Sequence, residues 1–147
     1  MSEKILIGSD HGGFLLKQYI IRQLEAEGYE VKDYGCYNED SVDYPDMIHP
    51  LARDINKGVS KTGLIMCGSG NGVAMVANKY PNVRAALCWD ETQTALTRQH
   101  NNANILSLPG RFIDFEKAWE MVKVFLSTEF EGGRHQQRVE KIGKILD

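Results

Sequence analysis

A cysteine, two histidines, a serine and a set of arginines stand beside glycine-rich turns, a pattern suited to moving protons next to a bound anion. Cys67 closes a short apolar run and opens Cys67-Gly-Ser-Gly-Asn-Gly72. A thiol directly before a helix start lies where thiolate, the basic and nucleophilic form, is favoured. The plainer use of such a cysteine is as a small buried hydrophobe, and Cys88 reads that way. Glycine turns that open a helix let backbone N–H groups approach an anion, and the helix start adds about half a positive charge. Ser69 is either a turn residue or a hydroxyl placed to relay a proton between neighbouring oxygens.

The second glycine turn is Asp10-His11-Gly12-Gly13. Asp10 has an ordinary use as a helix cap, whereas His11 beside it is set to face the same crevice as Cys67. Arg134 and Arg138 are four apart on one helix face, with His135 beside them and Gly132-Gly133 just before. Guanidinium groups at that spacing suit a phosphate, and Arg111 is a weaker candidate for the same task. His100-Asn101 follows a helical stretch, where a histidine also serves the helix dipole. Asp10, His11 and His100 could form a metal triad, but adjacent residues rarely ligate one ion. HExxH and Cys-x-x-Cys are absent, so no metal site is expected.

Phosphate-loop patterns narrow the choice. GxxxxGK[ST] does not occur, which excludes P-loop nucleotide hydrolysis. Gly68-x-Gly70-x-Gly72 is a partial dinucleotide fingerprint, with Val73 where a third glycine or alanine is wanted and Asp90 about twenty residues on. A nucleotide-binding module therefore stays open as an alternative.

Five β-rich runs must position these groups, over 4–8, 30–34, 63–67, 84–88 and 104–108. Between and after them lie helix-period segments near 12–27, 44–57, 70–79, 91–101, 114–127 and 134–146. Asp114 is placed to cap the fifth helix, and Pro50 to kink or delay the second. The alternation predicts an α/β protein: a three-layer α/β/α sandwich around a five-stranded parallel Rossmann-like sheet, extended by a C-terminal helix. Both early glycine turns follow strands, so a shared site puts strands 1 and 3 side by side with strand 2 outside, a 2-1-3 start. A helix of about ten residues spans about 15 Å. The fourth helix thus carries His100 to the sheet end opposite Cys67, and if both are catalytic the site is shared across a dimer.

Composition agrees with one globular domain over residues 1–147. The chain has 147 residues, 42% hydrophobic and 25% charged, and 17 Lys+Arg against 20 Asp+Glu give a net charge of −3. Such a balance offers no general attraction to nucleic acid or to anionic membranes. The longest uncharged stretch, 62–78, is interrupted by four glycines and is no bilayer span. No targeting segment is expected, and three cysteines in no framework spacing point to a reducing cytoplasm.

Across essentially its whole length the sequence resembles the type B ribose-5-phosphate isomerase family, which includes galactose-6-phosphate and allose-6-phosphate isomerases. The resemblance rests on Gly8-Ser-Asp-His-Gly-Gly-Phe14, Val42-Asp-Tyr-Pro45, Cys67-Gly-Ser-Gly-Asn-Gly72, Arg98-Gln-His-Asn101 and Glu131-Gly-Gly-Arg-His-Gln-Gln-Arg-Val139. It implies an aldose–ketose isomerase interconverting D-ribose 5-phosphate and D-ribulose 5-phosphate in the non-oxidative pentose phosphate pathway, with six-carbon phosphates as alternatives. It further implies Cys67 as the base, Gly68, Ser69, Gly70, Asn71 and Gly72 as the anion hole, and Ser69 as the relay between O1 and O2. His100 would open the furanose ring, assisted by Asp10 or polar neighbours. His11, Arg134 and Arg138 would grip the phosphate with Arg111 nearby, and Asn101 and Tyr44 would line the sugar. The family uses no metal or organic cofactor and forms homodimers with shared sites; pairing of dimers into tetramers stays open.

Overall fold

A computed structural model describes residues 4–145; of the helical segment expected over 134–146, residue 146 lies outside the described residues, and within them the helix ends earlier, at Ile142, with Gly143 as its C-cap. The strands are β1 (Lys4–Ser9), β2 (Glu30–Asp33), β3 (Thr62–Cys67), β4 (Ala85–Leu87) and β5 (Ile105–Pro109). The helices are α1 (Phe14–Ala26), α2 (Tyr44–Asn56), α3 (Asn71–Ala77), α4 (Glu91–Gln99), α5 (Phe115–Ser127) and α6 (Arg134–Ile142), with a 3-10 turn at His11–Gly13. All pairings are parallel and the strand order is β2-β1-β3-β5-β4, which contains the expected 2-1-3 start.

Strand periodicity sorts the apolar residues onto the two faces. Ile5, Ile7, Leu64 and Met66 point to one side, where Leu16, Ile20 and Leu24 of α1 and Ala118, Trp119, Val122 and Phe125 of α5 cover them. Leu6, Ile65 and Ile105 point to the other, under Ile48, Leu51 and Ile55 of α2 and Val73 and Ala77 of α3. Each fully buried aliphatic side chain contributes about 1.5–3 kcal/mol. β1 and β3 are covered on both faces, which is why they read as unbroken apolar runs.

Three local expectations change. Pro50 does not delay α2, which starts at Tyr44 with Pro45 in its first turn and continues through Pro50 to Asn56. Pro50 is exposed, so the hydrogen bond it forfeits lies on the wet side of the helix, while Ile48, Leu51, Ala52 and Ile55 anchor the dry side. Asp114 occupies the N-cap position of α5 without a side-chain cap bond, and the helix relies on its apolar stripe. β4 is only three residues long, although Arg84 O and Cys88 N still bond toward β5, to Asn104 N and Ser107 O at 3.0 and 3.2 Å. Arg84 Nε donates to Asn102 O at 2.8 Å, and Cys88 packs into the core.

Lys17 of α1 is fully buried. Its ammonium donates to both Asp33 carboxylate oxygens, at 2.9 and 2.8 Å, and to Gln18 Oε1 at 3.2 Å. Asp33 Oδ1 also accepts the Gly35 N–H at 2.8 Å, and Gly35 O accepts the Ser9 N–H at 2.7 Å. The pair thus ties α1 to the end of β1, directly before Asp10 and His11. Asp33→Ala leaves a buried ammonium without its partner and is expected to lower the unfolding free energy by about 3 kcal/mol in a urea titration. Lys17→Met in the same background should restore much of that loss. A single variant as stable as wild type would show that the ammonium reaches water.

Candidate active site

The carboxyl ends of β1 and β3 bring the first group of residues together. Asp10 Oδ1 accepts the N–H groups of Gly12 and Gly13 at 2.9 and 3.2 Å, so its carboxylate caps the turn that carries His11. His11 Nδ1 accepts the Val42 N–H at 3.2 Å. The neutral ring therefore carries its proton on Nε2, leaving that edge as a donor.

Cys67 is buried, and its Sγ accepts the Gly70 N–H at 3.1 Å, a contact that stabilises negative charge on sulfur. Gly70 has φ +78°, and a Cβ there would meet Leu87 Cδ1 at 2.5 Å, so the loop closes over the sulfur only with glycine. Ser107 Oγ, fully buried in β5, donates to Gly70 O at 2.7 Å and fixes the loop from below. Ser69 Oγ accepts the Asn71 N–H at 3.3 Å at the exposed rim.

Tyr44 and Arg111 close the sides. A Cβ on Gly72 would meet Tyr44 Cε1 at 2.8 Å, so the phenol ring lies flush with the loop. A Cβ on Gly12 would meet Gly68 N at 3.1 Å and Arg111 Nη2 at 3.3 Å, which places the guanidinium over both glycine turns. Arg111 was grouped with Arg134 and Arg138 from the sequence; within one chain it belongs with Cys67.

Of the other two thiols, Cys36 Sγ donates to Asn38 O at 3.3 Å and Cys88 packs in the core. Burial, with Asp90 adding to it against a hydrogen bond from Thr94, pushes Cys88 up to about 11, the inert hydrophobe it was expected to be. Asp90 itself caps α4, its Oδ1 accepting the Gln93 N–H at 2.7 Å, so the carboxylate considered for a nucleotide ribose is engaged in the helix start.

The second group lies at the opposite sheet end. Asn104 O accepts the Gly63 N–H at 2.9 Å, which puts the end of the α4 connection beside the start of β3, while Cys67 pairs with Pro109 at the far end. His100 caps the C-terminus of α4 there, as its helix length implied. Its ring stacks on His135 with centroids 4.3 Å apart and planes 15° apart. His100, Asn101, His135, Arg138, Val139 and Ile142 line a cavity of about 400 Å³, a size that suits a small ligand. His135 is buried. Burial first, then the charges of His100, Arg134 and Arg138, push its imidazole down, against an upward push from Glu131.

From the sequence, His135 reads only as a neighbour of Arg134 and Arg138, and Glu131 only as the first residue of the 131–139 motif; their i, i+4 spacing across two glycines is the signal that links them. Among the described residues, His100, Glu131 and His135 have ligand atoms within 4.8 Å of one another. The two rings lie face to face, so their in-plane lone pairs run side by side instead of converging on an ion. No helix among the described residues is long and apolar enough to cross a membrane.

Comparison with known proteins covers nearly the whole chain. Residues 5–142 match the family model described as Ribose/Galactose Isomerase. Ribose-5-phosphate isomerase B of Escherichia coli is 39% identical over 143 residues, 97% of this chain and 96% of that protein. A crystal structure of a ribose 5-phosphate isomerase from Thermotoga maritima superposes with a TM-score of 0.96 at 46% identity, covering 99% of this chain and 100% of that one. The ribose-5-phosphate isomerase B of Mycoplasma genitalium, crystallised with bound ribulose-5-phosphate, gives 0.93 at 42% identity, with 98% and 96% covered. Matched by the family model over residues 5–142 and by these relatives over nearly its whole length, the chain belongs to the ribose/galactose isomerase family of aldose–ketose isomerases.

Proposed function

We propose that this single-domain protein interconverts D-ribose 5-phosphate and D-ribulose 5-phosphate in the non-oxidative pentose phosphate pathway of the cytoplasm. It does so as a homodimer whose sites each join the Cys67 group of one chain to the His100 group of the partner. The observation that carries the reading is the Gly70 N–H on Cys67 Sγ at 3.1 Å, inside a glycine loop built to hold negative charge. The pentose substrate is supported by the names of the relatives and by the ribulose-5-phosphate bound to the Mycoplasma enzyme.

The chemistry starts with a closed sugar. His100 of the partner subunit moves the proton that lets the furanose open to the aldehyde. The Cys67 thiolate takes the C2 proton, and the electron pair passes into an enediolate held by the N–H groups of residues 68–72. The Ser69 hydroxyl passes a proton from O2 to O1, and the Cys67 thiol returns its proton to C1, giving the ketose. Proton count and charge are the same before and after, so the cycle needs no redox partner.

His11 Nε2–H, Arg134 and Arg138 hold the phosphate, with Arg111 beside the sugar end. Asn101 and Tyr44 bound the sugar, and Asp10 keeps the His11 turn in place. Phosphate binding remote from the reacting carbons positions C1 and C2 at the sulfur.

Conversion of ribose 5-phosphate by the purified protein in EDTA is the direct test. Cys67→Ala should lose about a thousandfold or more in kcat, in line with removal of an acid–base group, and still bind a substrate-analogue inhibitor. Turnover within a few-fold of wild type would exclude the thiolate base. Arg138→Ala should raise KM by about tenfold or more, since a charge-assisted phosphate contact is worth about 1.5–3 kcal/mol, with an unchanged melting temperature. An unchanged KM would place Arg138 outside the phosphate site. Asp90→Ala should keep full activity and lose about 1 kcal/mol of stability with its cap; loss of activity would favour a nucleotide site.

A further inference from the structure

Glu131 has no part in the chemistry above, yet it sits against both stacked imidazoles. It lies between α5 and α6, and its backbone N–H donates to Gln99 O at 3.1 Å. Nearby, Arg98 Nε donates to Thr128 O at 3.0 Å. These ties lay the segment across the end of α4. Gly132 and Gly133, with φ +67° and +52°, then turn the chain back so that α6 begins with His135 facing His100. Glu131 Oε1 ends 3.9 Å from His100 Nε2 and 3.7 Å from His135 Nε2.

The charges around the stack make this carboxylate significant. On α6, Arg134 and Arg138 act on His135 from either side; α4 contributes His100; the connecting segment contributes Glu131. Every one of these except Glu131 disfavours a proton on His135. Two rings stacked at 4.3 Å also repel a second proton.

We propose that Glu131 is a positioning residue for ring opening, its carboxylate bridging the Nε2 edges of His100 and His135 so that the pair stays oriented and able to carry a proton. The inference rests on the isomerase reading above. In ring opening the C1–O4 bond breaks and its electron pair leaves on O4, which takes a proton. The O1–H proton departs, and its electron pair becomes the second bond of the C1=O1 carbonyl. The proton count does not change, so the step needs a group that holds a proton and keeps its place between two oxygens. Guanidinium groups alone oppose the first requirement and do nothing for the second; a carboxylate on the ring edges supplies both.

Glu131→Gln keeps the size and removes the charge, and the side chain is 53% exposed, so the fold should stand with an unchanged melting temperature. The full chain is assayed with ribose 5-phosphate and with the same sugar deuterated at C2. The expected result is a drop in kcat/KM of about ten- to a hundredfold, less than outright loss of an acid–base group causes. The C2 isotope effect should fall toward unity, because ring opening does not break the C2–H bond and becomes limiting. An unchanged rate, or a loss with an isotope effect at or above the wild-type value, overturns the proposal. Should Glu131→Gln melt early, Glu131→Asp, which withdraws the charge by one methylene, is read by the same two quantities. A wild-type protein inert toward ribose 5-phosphate would overturn the isomerase reading first and this inference with it.

Discussion

The pairing of β1 with β3 is the constraint on which the rest of the molecule depends. The two strands run parallel in register from Ile5 opposite Thr62 to Ser9 opposite Met66, and both are covered on both faces. The chain then leaves them in opposite directions. α1 packs with Leu16 and Ile20 on one face, and α3 packs with Val73 and Ala77 on the other. Divergence of this kind opens a crevice at the carboxyl ends that no side chain needs to fill. The Asp10 turn and the Cys67 loop meet across it, close enough that a Cβ on Gly13 would strike Met66 O at 2.7 Å. Buried apolar strands, whose aliphatic residues drive folding, thus also bring a thiol and a histidine turn together.

Charge follows a different logic from packing. The chain is net acidic at −3, yet each end of the sheet presents cations against a surface of backbone donors. Arg111 lies over the glycine turns at one end, and Arg134 and Arg138 line the start of α6 at the other. Such clusters must be local, because a general positive balance would attract anions indiscriminately. Among the described residues, Glu131 is the carboxylate within 4 Å of both histidines, at 3.9 Å from His100 and 3.7 Å from His135.

How much of this was legible in the sequence depended on range. All five strands and the 2-1-3 start were readable, because unbroken apolar runs and glycine turns at strand ends are local patterns with one physical meaning. The separation of His100 from Cys67 was readable too, since it follows from helix length alone. Lys17 was not: a lysine in an amphipathic helix reads as solvated, and only Asp33, sixteen residues away, makes its burial tolerable. Ser107 reads as a flaw in an apolar strand until Gly70 O is placed beneath the loop. That Arg111 lies over the Gly12 and Gly68 turns and not beside Arg134 and Arg138 of its own chain was hidden for the same reason, because guanidinium chemistry is evident in sequence and direction is not. The stack of His135 on His100 depends on where α6 turns back, and two glycines allow that turn without dictating it.

On the proposed reading, the distance between the two ends of the sheet becomes a functional fact. Under the proposal one chain would hold the base for the C2 proton, Cys67, and, some strands' length away, the histidine for ring opening, His100. A strand of five or six residues spans roughly 17–20 Å, far beyond the reach of any side chain. No rotamer change or loop movement can join the two within a chain whose intervening strands are fully buried. Under that proposal a second copy, turned so that its α4 and α6 ends meet the Cys67 crevice, would complete a site, and twofold symmetry would complete the other at no further cost. Association and catalysis would therefore share their determinants: contacts that hold the dimer together also set the spacing between sulfur and imidazole. On that reading, a substitution that loosens the interface by a fraction of an ångström would be felt in turnover before it is felt in stability, because each chain carries its own two cores.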